Sequence, residues 1–223
     1  MPTHIDVLCG NYQSVVDWNT AAIQADERFL AREGPLNFYS FYRCHNYHFK
    51  AYGGMFLGKY SLAMEAADDM VSSLPEELMR VPSPPMADWL EAFVPTDYHV
   101  LIRFGKWEDI LAKPLPKDQQ LYCFTTATAH YAKAVAAAAL GRLEEADKQA
   151  VLFEAAAARV PETRKLMNNF CPEILGIARE MMLGEIAYRR GQYDAAFAHL
   201  RRSVELDDGL LYDEPWGWMQ PTR

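Results

Sequence analysis

The stretch that decides the fold is Gly191-Gln192-Tyr193-Asp194-Ala195-Ala196. It consists of a glycine, any residue, a bulky apolar residue, two further residues and a small residue. Similar stretches, with a small or apolar last residue, begin at Gly10, Gly58, Gly105 and Gly141. Glycine commonly ends a helix because it adopts the left-handed conformation without a steric penalty. The pattern therefore predicts five turns between paired helices, in which the small residue allows the two backbones to approach closely.

The composition also favours helices over sheets. Ala, Leu, Glu and Arg are each more frequent than Val, Ile or Thr. The former lose little rotamer freedom in a helix, whereas the latter are β-branched and lose more. A single helical hairpin cannot bury its apolar face alone, so neighbouring hairpins must stack. We predict an all-α fold with helices at residues 3–9, 12–33, 37–57, 60–73, 86–93, 96–104, 107–113, 118–140, 143–159, 162–169, 173–190 and 193–207.

Charge and hydropathy exclude several classes of protein. The chain has 22 Lys and Arg against 30 Asp and Glu, a net charge of −8. It therefore lacks the overall positive charge that attracts the phosphates of nucleic acids. Its longest uncharged apolar run, Ala134–Leu140, is far shorter than the ~20 residues of a membrane helix. The first six residues lack the features of a secretory signal. We therefore expect a cytoplasmic protein that binds neither nucleic acid nor membrane.

The repeated turn resembles that of the tetratricopeptide repeat family. The last copy is the best match, because Leu183-Gly184 lies upstream of Arg190-Gly191-Gln192-Tyr193 and Ala196 follows. The resemblance implies a right-handed α-solenoid of about five helix-turn-helix units. The turn glycines are 48, 47, 36 and 50 residues apart, which exceeds the family period of about 34. We therefore expect insertions, chiefly at residues 76–93 and 161–172.

The domain organisation follows from these turns. The expected units lie near residues 1–34, 35–81, 86–116, 118–160 and 172–209. Residues 210–223 are interpreted either as an aromatic tail that packs over the last hairpin or as the start of a further repeat. In the second case the chain is a fragment of a longer array, with Trp216 and Trp218 docking on the missing part. Exposed terminal repeats also predict self-association.

The resemblance further implies a concave groove lined by the first helix of each unit. Four of the six histidines map to it, His4 among them. We expect tyrosines there to give flat contacts and Arg103 and Arg189 to bind carboxylates of a protein or peptide segment. The implied function is a non-catalytic binding scaffold. The groove residues expected to bind are His45, His48, Tyr52, His99, Arg103, Tyr131, Glu185, Tyr188 and Arg189.

A metal-binding groove is the alternative. His45 and His48 are three residues apart and so share a helix face, where they can ligate a divalent transition metal such as Zn or Cu. His99 or Glu185 is expected as a further ligand. Such a site would allow redox or hydrolytic chemistry. The sequence contains no GxSxG elbow and no glycine-rich phosphate loop. We therefore favour binding without catalysis and without a cofactor.

Overall fold

The computed structural model describes residues 2–223 and is mostly helical, as predicted. A short 3-10 helix covers Glu91–Phe93, and two short strands are β1 (Lys165–Leu166) and β2 (Asn169–Phe170). The α-helices are α1 (Pro2–Leu8), α2 (Tyr12–Glu33), α3 (Ser40–Phe56), α4 (Tyr60–Ser72), α5 (Glu76–Met79), α6 (Met86–Leu90), α7 (Thr96–Arg103), α8 (Trp107–Ala112), α9 (Cys123–Ala139), α10 (Leu143–Ala157), α11 (Cys171–Arg189) and α12 (Tyr193–Asp208). None of these helices is long and apolar enough to cross a membrane.

The five predicted turns are present and equivalent. Each turn glycine has a φ between 64° and 75°. At the last turn, the Gly191 N–H donates to the Tyr188 carbonyl and the Gln192 N–H to the Ala187 carbonyl, both at 3.0 Å. The same pair of bonds occurs at the other four glycines. These bonds satisfy carbonyls that a helix end leaves unpaired, which is why glycine stands at every bend.

The turns join five hairpins that pack side by side. The hairpins are α1/α2, α3/α4, α7/α8, α9/α10 and α11/α12, and each packs its two helices together. The first helices also contact in succession, α3 with α7, α7 with α9 and α9 with α11. The residue five positions after each turn glycine is fully buried in the hairpin; these residues are Val15, Ala63, Ile110, Ala146 and Ala196.

The predicted helix at residues 162–169 is wrong, because a small hairpin of β1 and β2 occupies that position. Lys165 pairs with Phe170 in antiparallel register, and Met167 adopts a φ of 53° in the turn between the strands. The Arg164 carbonyl accepts the Cys171 N–H at 2.9 Å and extends the ladder. The tertiary contacts of Arg164 fix this geometry and override the local helix propensity.

Helix α9 begins five residues later than the predicted 118. The Asp118 carboxylate accepts the backbone N–H groups of Gln120 at 3.2 Å and Leu121 at 3.0 Å. Such a side-chain bond offers the backbone an alternative to the first helical turn. Residues 118–122 therefore form a turn, and the helix starts at Cys123.

A buried ion pair joins the inserted segments to the array. The fully buried Glu91 carboxylate accepts Arg164 Nη1 at 2.7 Å and the Thr125 N–H at 2.7 Å. Arg164 Nε also donates to Asp88 at 3.1 Å. These contacts connect α6, the 3-10 helix, the start of α9 and the segment before β1, so this network positions both insertions.

Helices α3 and α4 approach each other closely at Gly54, where a larger residue should be destabilising. A Cβ at Gly54 would lie 3.0 Å from the Ala63 nitrogen, whereas one at Gly176 would meet only Leu206 Cδ1 at 3.7 Å. We expect Gly54→Ala to lower the free energy of unfolding by about 1–3 kcal/mol because the helices must separate. Gly176→Ala is the matched control and should raise it by about 0.5–1 kcal/mol. Urea unfolding measures both; equal effects would show that α3 and α4 do not pack this closely.

Candidate functional site

The first helices of the five hairpins share one surface, and residues 211–223 cover it. We call this surface the groove and residues 211–223 the tail. The structure describes every residue of the tail, and it contains neither helix nor strand. Each first helix supplies a side chain that contacts the tail; these are His4, His48, His99, Tyr131 and Met181.

Trp218 is the central anchor of the tail. Its ring is 3% exposed and meets the rings of His99 and Tyr131 edge-on, with centroids 5.0 and 5.4 Å away. Its indole N–H points to Met181 Sδ at 3.0 Å. A buried tryptophan combines a large apolar area with one polar group that needs a partner, and the groove satisfies both.

The two residues after Trp218 are also buried in the groove. Met219 Sδ lies 2.9 Å from His48 Nε2, and Gln220 Nε2 donates to the His99 carbonyl at 2.6 Å. These contacts combine apolar packing with a few oriented polar groups, the arrangement typical of ligand sites.

The ends of the tail are held at the rim of the groove. Glu214 pairs with His4, and Trp216 packs 5.7 Å from the ring of Tyr52. Further along, Thr222 Oγ1 donates to Asp207 at 2.8 Å, and Arg223 forms a two-bond ion pair with Asp208. The tail therefore contacts the first and the last hairpin at once.

A turn in the inserted segment holds the start of the tail. Asn169, in β2, pairs its amide with both backbone groups of Leu211, and its Nδ2 also donates to Asp213 at 2.7 Å. Asn168 gives Asp213 two further donors. We call Met167, Asn168 and Asn169 the asparagine turn.

The histidines beneath the tail are kept neutral by burial. Burial lowers the pKa of His45 and His99 to about 4 and that of His48 to about 3. Their Nδ1 atoms have no hydrogen-bond partner among residues 2–223. Because charging an imidazole in this environment is unfavourable, these three side chains are polar but uncharged at neutral pH.

The structure brings four of the nine expected binding residues into contact with the tail, buries a fifth beside His4 and leaves four partly or fully exposed. Of the exposed four, Arg103 lies over the Phe56 ring, Arg189 pairs with Glu185 at 2.7 Å, and Tyr188 packs on Tyr193. The four in contact with the tail are His48, Tyr52, His99 and Tyr131. The fifth, His45, packs against the rings of His4 and Phe49.

The expected metal ligands do not form a ligand set. His48 Nε2 faces Met219, and the His99 ring packs against Trp218. In the described part of the chain, no three His, Cys, Asp or Glu side chains are arranged to hold a metal ion. The structure therefore gives the metal alternative no support.

The asparagine turn and the course of the tail were missed by sequence reasoning. Asn168 and Asn169 are adjacent turn-forming residues within the expected insertion at 161–172, and this is the one local signal that marks them. The tail lies in the groove, in contact with all five hairpins, and is not confined to the last one. Comparisons of the chain with protein-family models, curated proteins and solved structures found no match.

Proposed function

We propose that this chain is a non-catalytic scaffold whose groove binds a segment of a protein or peptide. The observation that carries the proposal is the position of the tail, which lies across the first helices of all five hairpins. The tail is an example, within the same molecule, of the kind of segment that the groove accepts.

The contacts of the tail define how such a segment is recognised. Apolar contacts come from Trp218 and Met219, whose side chains are almost fully buried in the groove. Orientation comes from a few polar contacts, such as that of Gln220 with the His99 carbonyl. In such a site the buried apolar area supplies most of the affinity, and the oriented polar groups fix the position of the segment.

Because the tail occupies the groove, we expect an added peptide to bind the intact chain weakly. An attached segment competes at an effective concentration that is in the millimolar range for short flexible connections. A peptide at micromolar concentration therefore cannot displace the tail. Weakening the tail by substitution should make the groove available without removing any part of the chain.

The experiment uses a fluorescein-labelled peptide with the sequence of residues 211–223. We expect it to bind the full chain carrying Trp218→Ala and Met219→Ala at least about tenfold more tightly than the unmodified chain, measured by fluorescence polarisation. A peptide carrying the same two substitutions is the control and should not bind. If the tail-weakened chain unfolds cooperatively but fails to bind the parent peptide, the proposed function is wrong.

A further inference from the structure

The asparagine turn contains a site that hydrogen-bonds a peptide backbone. Asn169 is fully buried, and its amide pairs with both backbone groups of Leu211: the Leu211 N–H donates to Oδ1 at 2.7 Å, and Nδ2 donates to the Leu211 carbonyl at 2.9 Å. The side chains of Leu211 and Tyr212 are 60% and 62% exposed. This part of the site therefore makes little use of the side chains at these two positions.

The same turn binds the carboxylate of Asp213, two residues further along the chain. Asp213 Oδ1 accepts Asn168 Nδ2 at 2.6 Å, and its Oδ2 accepts Asn169 Nδ2 at 2.7 Å and the Asn168 N–H at 3.1 Å. All three partners are donors, so both oxygens must be acceptors. An asparagine at position 213 would place an N–H group against a donor, and one of the three bonds would be lost.

A glycine follows at the point where the tail passes the turn again. A Cβ at Gly217 would lie 3.0 Å from Asn169 Nδ2 and 3.2 Å from Leu210 Cδ1. The tail therefore fits this turn at three positions: a backbone unit, an aspartate two residues later and a glycine four residues after that.

We propose that the asparagine turn is a selective site for acidic segments, and that ligands of the groove carry an aspartate two residues after the backbone unit held by Asn169. The inference rests on the proposed function, because it assigns the class of segment that enters the groove. Residues 211–213 are the internal occupant of this site, and an external ligand replaces them.

The test exchanges donor and acceptor across one hydrogen bond. It uses the tail-weakened chain with the further substitution Asp213→Ala, which removes the internal carboxylate from the site, with or without Asn168→Asp. The two peptides cover residues 211–223, one the parent and one with Asp213→Asn. Without Asn168→Asp, the parent peptide should bind about tenfold more tightly, because an unpaired donor is costly. With Asn168→Asp the preference should reverse, since the new carboxylate repels the parent peptide and accepts the amide of the other.

The remaining outcomes distinguish failure of the selective site from failure of the binding groove. Equal binding of the two peptides to the chain with all three tail substitutions, or a preference that Asn168→Asp leaves unchanged, overturns the selective site but leaves the binding groove in place. Binding of neither peptide overturns both proposals. Asn168 is exposed, so Asn168→Asp should not unfold the chain, and circular dichroism checks this.

Discussion

Replacing Arg164 with methionine is expected to lower the free energy of unfolding by about 3–5 kcal/mol. The substitution leaves Glu91, which is fully buried, without the cation that lies 2.7 Å from its carboxylate. Burial already raises the pKa of Glu91, and Arg164 is the main group that opposes this effect. Denaturant unfolding at pH 7 measures the loss.

Two controls identify the cause of that loss. Combining Arg164→Met with Glu91→Gln removes both charges and should recover part of the stability. Arg179→Met breaks the exposed pair with Glu154, whose N–O distance is 2.6 Å, and should cost at most about 1 kcal/mol. Equal losses for Arg164→Met and Arg179→Met would contradict the assignment of a buried ion pair.

The second large effect is a loss of stability on mild acidification. Burial lowers the pKa of His45, His48 and His99 below the ordinary value of 6.5. The unfolded chain therefore binds protons first as the pH falls. The stabilisation is fully present above about pH 6.5 and decreases towards pH 4 by at most about 1.4 kcal/mol per pH unit for each histidine. Below their folded pKa values the decrease ends.

Unfolding curves at pH 7, 6 and 5 measure this slope. His48→Gln should remove one contribution and flatten the dependence. His130, whose pKa is also lowered by burial, adds to the same slope. Burial raises the pKa of Asp207, Asp213 and Glu91, so these carboxyl groups oppose the histidines at the acidic end. A free energy of unfolding that stays constant from pH 7 to pH 5 would contradict the burial of neutral histidines beneath the tail.

The turns and most helices could be predicted because their causes are local. A glycine in the left-handed conformation and the bonds around it depend on a few neighbouring residues, so the sequence near Gly191 is sufficient to identify the bend. The burial of Ala196 follows from the same pattern. By contrast, the small hairpin at residues 165–170 follows Arg164, which is held by Glu91, 73 residues away in the chain, and no local pattern encodes that contact.

The candidate site was only partly predictable for the same reason. His48 and His99 lie on the first helices of their hairpins, and the resemblance places such residues on one surface. The tail reaches this surface through contacts such as that of Met219 with His48, which are 171 residues apart. No local pattern encodes such a contact. The pairing of Asn169 with Leu211 depends in turn on a small hairpin that the sequence does not predict.

The most direct test of the account is a nuclear Overhauser measurement on the full chain with ¹³C-methyl-labelled methionine. The Met219 methyl signal is assigned by its disappearance in Met219→Leu. We expect cross-peaks from this methyl group to the His48 ring, because Met219 Sδ lies 2.9 Å from His48 Nε2. A Met219 signal at the position of an unstructured methionine, without cross-peaks to His48, would show that the tail does not occupy the groove.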